Sequence, residues 1–210
     1  SCMRAEIIAI GTELLLGQTT NTNARFLAEK LAEKGIDVYW QSVVGDNAER
    51  LKAALLLALS RSDIIITSGG LGPTMDDLTK ETAASVLQLP LEIDETWEKH
   101  LQASFAKRGH TFSENNRKQA LLPKGAKLLP NELGTAPGIW IEQDGKIIIL
   151  LPGPPRELET MFVKYVLPYL PDSGSIILSR ILKVIGIGEA AVENLLFDLL
   201  HSQINPTIAP

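Results

Sequence analysis

The first half of the chain alternates short apolar runs with amphipathic stretches, and that alternation leaves few folds open. Residues 4–10, 36–44 and 63–67 read as strands, while 24–34, 47–61 and 78–87 carry apolar side chains at helical spacing. Parallel strands cannot be joined by a tight turn, so each needs a crossover, and a helix supplies it. The run Asp63-Ile64-Ile65-Ile66-Thr67 shows no polar alternation, as expected of a strand covered on both faces. Asn21 or Thr22 is expected to cap the first helix, which Gly35 stops, and Asn47 to cap the second. Right-handed crossovers bring the turns that follow these strands to one rim of the sheet, where ligands of open α/β sheets bind.

Each of those turns carries an acid. Gly11-Thr12-Glu13 follows the first strand, Gly45-Asp46 the second, and a glycine-rich loop, Ser68-Gly69-Gly70-Leu71-Gly72-Pro73-Thr74-Met75-Asp76-Asp77-Leu78-Thr79, the third. Glycines let the backbone approach a ligand closely, and a helix start favours phosphate through its free N–H groups and dipole. Carboxylates repel phosphate, so Asp76 and Asp77 beside such a cradle point to a divalent cation between the two. A second reading needs no ligand for one of the acids, because Thr74 and Asp77 fit a helix-capping pattern. Glu13 likewise reads either as a site acid or as an exposed turn glutamate. The glycine spacing is neither that of a P-loop nor that of a dinucleotide fingerprint.

After Pro90 the pattern turns helical and more polar. A helix is expected over 94–108 with Trp97, Leu101 and Phe105 on one face, and Ser113 caps a second, shorter one. His100, His110 and His201 lack ligand spacing and read as surface or core histidines. Arg117 and Lys118 read as solvated helix charge, or as groups meeting a phosphate from above the rim. Asp144-Gly145 between two apolar runs predicts a hairpin. Its second strand ends at Pro152-Gly153-Pro154-Pro155-Arg156-Glu157, again a strand, a glycine turn and a helix start, which adds Glu157 to the rim. A further strand over 175–184 and a helix over 189–200 follow, too little to bury a core alone. Twenty basic against 25 acidic side chains (net charge −5) argues against a nucleic-acid surface. No run reaches the roughly 20 apolar residues of a membrane helix, and no leader is read. With a single cysteine, Cys2, the expected setting is a reducing cytoplasm.

Taken together, Gly11-Thr12-Glu13-Leu14, the loop 17–23, Val44-Gly45-Asp46, the Gly69 loop, Gly134-Thr135-Ala136-Pro137-Gly138 and Pro152-Gly153-Pro154-Pro155-Arg156-Glu157 resemble the CinA (competence/damage-inducible protein A) family. The resemblance covers residues 3–170. It implies the fold of molybdopterin-binding domains, a three-layer α/β/α sandwich with a mostly parallel sheet, over 1–170. Residues 171–210 would then begin a small α+β linker domain, truncated here, and the amidohydrolase domain of full-length members is not in this chain. The activity implied is hydrolysis of the pyrophosphate of ADP-ribose with Mg²⁺, Mn²⁺ or Co²⁺. Carried over motif by motif, Asp76, Asp77, Glu13 and Glu157 take catalytic roles, with Asp76, Asp77 and Asp46 at the metal. Thr12, Asn23, Gly69, Gly70, Gly72, Thr74, Thr79, Gly134, Thr135, Gly138 and Gly153 take substrate. The competing readings are a module that holds a pterin without hydrolysing anything, and a dimerisation scaffold. The expected assembly is a homodimer or higher homo-oligomer.

Overall fold

The computed structural model describes residues 3–172. The strand and helix expected after Ser175, and His201, lie outside the described residues, as does all but the start of the expected linker domain. In chain order the elements are β1 (Arg4–Ile10), α1 (Thr12–Leu15), α2 (Thr22–Glu33), β2 (Asp37–Val44), α3 (Ala48–Arg61), β3 (Ile64–Ser68) and α4 (Thr79–Leu87). There follow β4 (Leu91–Ile93), α5 (Glu95–Lys107), α6 (Glu114–Arg117), β5 (Leu121–Pro123), β6 (Lys127–Leu129), β7 (Gly138–Gln143), β8 (Lys146–Leu151) and α7 (Pro155–Met161).

The main sheet has the order β2-β1-β3-β8-β7-β6. β1 pairs in parallel with β2 and β3, and β3 with β8, whereas β7 runs antiparallel to both β8 and β6. Register is fixed by the isoleucine runs: Ile7 lies beside Ile66, and Ile66 beside Ile149. Alternate residues of these strands feed two separate cores. Ile7, Ile64, Ile66 and Ile149 pack with Leu27 and Leu31 of α2 and with Leu158, Met161 and Phe162. Ile8, Ile65, Ile148 and Leu150 pack with Leu51, Leu55 and Ala58 of α3 and with Ala83 and Leu87 of α4. A sheet buried on both faces reads as an unbroken apolar run, which is why period-2 alternation is missing from β1, β3 and β8. Helices on either side make the three layers expected from the sequence.

Edge strand β2 is only partly buried and keeps its polar residues. One ion pair ties this side together: Glu6 of β1 is buried, its carboxylate accepting from Arg61 Nη2 at 2.6 Å and Nε at 3.0 Å and from the Ser62 hydroxyl at 3.0 Å. The hairpin between β7 and β8 turns at Asp144 (φ 51°) and Gly145 (φ 75°), the geometry Asp-Gly favours. The polar excursion after Pro90 forms its own small unit, in which β4 and β5 pair antiparallel. There Trp97, Leu101 and Ala120 pack with Ile93 and Phe112. Asp94 caps α5 and Ser113 caps α6 in a full capping box with Asn116. His100 stacks on Trp97, 4.6 Å between ring centroids, and both His100 and His110 are exposed. The helix expected over 157–169 is shorter than that: α7 begins with Pro155 at its first turn and passes at Phe162 into a π-helical turn, then a 3₁₀ turn. Among the described residues no helix is long and apolar enough to cross a membrane.

Candidate functional site

The carboxyl ends of β1, β2, β3 and β8 open on one cleft, because parallel strands put all their ends on the same rim. Gly11, Glu13, Asp46, the Gly69 loop and Glu157 line a chamber of about 350 Å³. A second chamber of about 370 Å³ is walled by Ser68, by the loop 19–23 and by Leu14. The two share a strip made by Ile10, Glu13, Gly153 and Pro154.

Main-chain bonds lock the turns side by side. Gly11 N–H donates to Val44 O at 2.9 Å and Gly69 N–H to Leu151 O at 3.0 Å, which ties β1 to β2 and β3 to β8. Thr12 does similar work, its hydroxyl donating to Asp46 Oδ2 and accepting from Asp46 N–H, both at 3.1 Å. Thr12, predicted to touch substrate, thus orients a predicted metal acid. Asn23 donates to Gly153 O at 2.8 Å and lies on the wall of the second chamber.

The Gly69 loop is held from below. Gly69 (φ 99°) and Gly70 (φ 71°) occupy backbone that favours glycine. Thr79 is fully buried, its hydroxyl donating to Gly69 O at 2.9 Å and its N–H to Gly70 O at 3.2 Å. The loop's own carbonyls therefore take the first donors of α4, and the substrate contact predicted for Thr79 becomes a positioning role. Thr74 is exposed and donates to Asp77 Oδ2 from both its N–H (3.0 Å) and its hydroxyl (2.6 Å). This is the local pairing foreseen for Thr74 and Asp77, but it closes a turn ahead of the helix and does not cap it, since the N-cap of α4 is Leu78. Asp77 keeps Oδ1 free of these bonds and faces the first chamber, whereas Asp76 is exposed and is not part of its wall. Successive residues of a turn point apart, so only one of two neighbouring acids reaches the cleft.

Lys118 and Arg117, weighed as phosphate contacts, are both engaged elsewhere. Lys118 Nζ donates to Asp77 O at 2.7 Å and Thr74 O at 3.2 Å, which staples the loop. Arg117 pairs with Glu98 at 2.7 Å. Lys80 is buried and donates to Lys118 O; burial pushes its pKa down to about 8, with Glu81 opposing and Lys118 adding to the shift.

On the far side Asn131, buried, organises its loop. Its Oδ1 accepts from the N–H groups of Leu133 (3.0 Å) and Gly134 (2.9 Å), and its Nδ2 donates to Ala136 O (2.8 Å) and Glu157 Oε2 (2.9 Å). Of Gly134, Thr135 and Gly138, all predicted to take substrate, Thr135 does line the chamber. Gly134 sits against the Glu157 carboxylate, where a side chain would overlap it. Gly138 is placed differently, inside β7 against Met161 and Leu129, so its lack of a side chain serves packing.

Gln119 was not foreseen. It is 1% exposed, lines the first chamber, and neither atom of its amide has a hydrogen-bond partner. In the sequence it is one more polar residue after Arg117-Lys118, with no motif to mark it. Ser68 Oγ and Asn23 Oδ1, on the second chamber, are also buried without partners. Among the described residues no three His, Cys, Asp or Glu side chains gather into a metal cage. Glu13, Asp46 and Asp77 instead face one chamber from three separate turns.

The family described as "Probable molybdopterin binding domain" matches residues 6–172. A CinA-like protein of Dictyoglomus turgidum is 53% identical over 209 residues, which is 99% of this chain but 51% of that protein, so the chain spans about half the length of this relative. The solved structure of protein CinA from Thermoplasma acidophilum, described as of unknown function, superposes with a TM-score of 0.72 at 36% identity, over 77% of this chain and 95% of that one. MoaB of Thermus thermophilus, described as a molybdopterin biosynthesis enzyme, shares the fold at 22% identity and a TM-score of 0.56, over 80% of this chain and 92% of that one.

Proposed function

The chain belongs to the molybdopterin-binding-domain family, among its CinA members, and from that premise we propose that its cleft hydrolyses the pyrophosphate of ADP-ribose with a divalent metal. The observation that carries the reading is the double chamber. Two cavities of similar volume meet on a strip that bears Glu13, and further acids line one of them. A substrate with two bulky ends joined by a pyrophosphate fits that division, with the anhydride at the junction.

The donor set fits a metal of the Mg²⁺, Mn²⁺ or Co²⁺ kind. Such ions are bound by one or two carboxylates together with substrate phosphates, so acids that face a chamber without closing a cage are suitable. Glu13, Asp46 and Asp77 are the side chains that would hold it. When bound, the ion would polarise phosphoryl oxygens and offset their charge. The glycines of the Gly69 loop let the backbone approach the phosphates. Glu157, fixed by Asn131 through one oxygen, would accept a proton from water. The new bond joins that water oxygen to one phosphorus, the bridging P–O bond breaks, and its electron pair stays with the departing phosphate. AMP and ribose 5-phosphate result. On the same reading residues 171–210 begin the linker domain of longer relatives.

The second reading, a module that holds a pterin without hydrolysis, is favoured by the family's own description and by the lack of an acid cage among the described residues. Incubating the chain with ADP-ribose and each metal, against a chelator, separates them. AMP and ribose 5-phosphate formed only with metal support the hydrolase. No turnover together with tight pterin binding supports the module.

A further inference from the structure

Every polar group in the first chamber that the sequence marked is a glycine turn, a hydroxyl or an acid; none of them can offer an N–H donor and an oxygen acceptor from one planar side chain. Gln119 can. Its side chain is buried, it lines the chamber, and both ends of its amide are without partners. A buried amide left unpaired is costly, and most buried polar groups in folded proteins are paired. The position itself is fixed from both sides. Lys118 is stapled to Thr74 O and Asp77 O and accepts from Lys80, while Ala120 O accepts from Asp94 N–H at 2.8 Å.

An amide offers one donor and one acceptor side by side. A phosphate has acceptors alone and would leave the amide oxygen unpaired. A heterocycle with an amino group next to a ring nitrogen, such as the N1 and 6-amino edge of adenine, satisfies both at once. We propose that Gln119 is a specificity-determining residue that binds the amino-heterocycle edge of the nucleotide in the first chamber. The proposal rests on the nucleotide reading of the cleft. It also orients the substrate: the second chamber, with the unpaired Ser68 hydroxyl and Asn23 oxygen, takes the hydroxylated sugar of the other half.

The test is binding, by calorimetry with Mg²⁺ present, of methylene-bridged ADP-ribose, which cannot be hydrolysed, and of the same compound lacking the 6-amino group. Wild-type protein is expected to prefer the amino form by about 10- to 100-fold, since the analogue leaves the buried amide oxygen without a donor. Gln119→Leu is expected to bring the two ligands within about threefold by weakening the amino form alone. Loss of affinity for both ligands alike, which a structural or water-binding role would give, overturns the proposal, as does an undiminished preference in the variant. Binding that obeys Gln119 without any turnover of ADP-ribose would sink the hydrolase reading and leave this one standing. Binding of neither ligand by the wild type would sink both.

Discussion

Asp77→Asn is expected to lower kcat/KM for ADP-ribose by about 100- to 1,000-fold, while Asp76→Asn stays within about threefold of wild type. The two acids are neighbours in sequence and were assigned the same roles from it. In the structure Asp77 lines the chamber and has one carboxylate oxygen not taken by Thr74, whereas Asp76 is exposed and is not part of the wall. Asparagine is the informative replacement, because its amide oxygen still accepts from the Thr74 N–H and hydroxyl that Asp77 Oδ2 accepts from now. The loop keeps its shape and only the charge is lost. Steady-state kinetics with thermal melts of both variants check this. Equal losses from the two substitutions would mean that the turn opens in solution and that the assignment of Asp77 alone is wrong.

The second large effect falls on stability. In Gly69→Ala the new β-carbon would collide with the main-chain carbonyl oxygen of Ile10, at a φ of 99°. A left-handed backbone costs an alanine about 1–2 kcal/mol. The carbonyl belongs to β1 and cannot swing aside as a side chain would. The loop must lift, and the Thr79 bond to Gly69 O goes with it, a loss of about 1–3 kcal/mol for a buried group left unpaired. The expected total, about 3 kcal/mol, lowers Tm by roughly 6–12 °C for a domain of this size. Gly17→Ala is the control. Its φ is 71° but nothing lies within 4 Å of the added carbon, so the strain stands alone and Tm falls by roughly 2–8 °C. Similar shifts for the two would show that φ, and not the contact with Ile10, makes Gly69 indispensable.

The strands and helices that carry the sheet were legible because two periodicities announce them. The unbroken apolar runs of β1, β3 and β8 predict burial on both faces, and the structure packs them between α2 with α7 and α3 with α4. The rim was legible for a topological reason: once the strands are parallel, their turns share an edge, so Glu13, Asp46, Asp77 and Glu157 meet without any long-range information. What sequence could not supply is the direction in which each turn residue points. Thr79, Thr74 and Thr12 all sit in the right turns, yet each spends its hydroxyl on the scaffold. Gly138 matches the motif for a reason of packing. Gln119 and Asn131 come from segments remote from the glycine loop in sequence, and only the folded chain brings Gln119 to the chamber wall and Asn131 against Glu157.

The measurement that bears most directly on the account is the crystal structure of the chain with methylene-bridged ADP-ribose and Mn²⁺, located by anomalous scattering. The metal is expected in the first chamber, bounded by Glu13, Asp46 and Asp77, with the pyrophosphate on the strip that both chambers share, the adenosine half in the first chamber and the second ribose in the other. A ligand seated in the cleft with no metal beside its pyrophosphate, or a metal bound away from that strip, would contradict it and leave the cleft a cradle without catalysis.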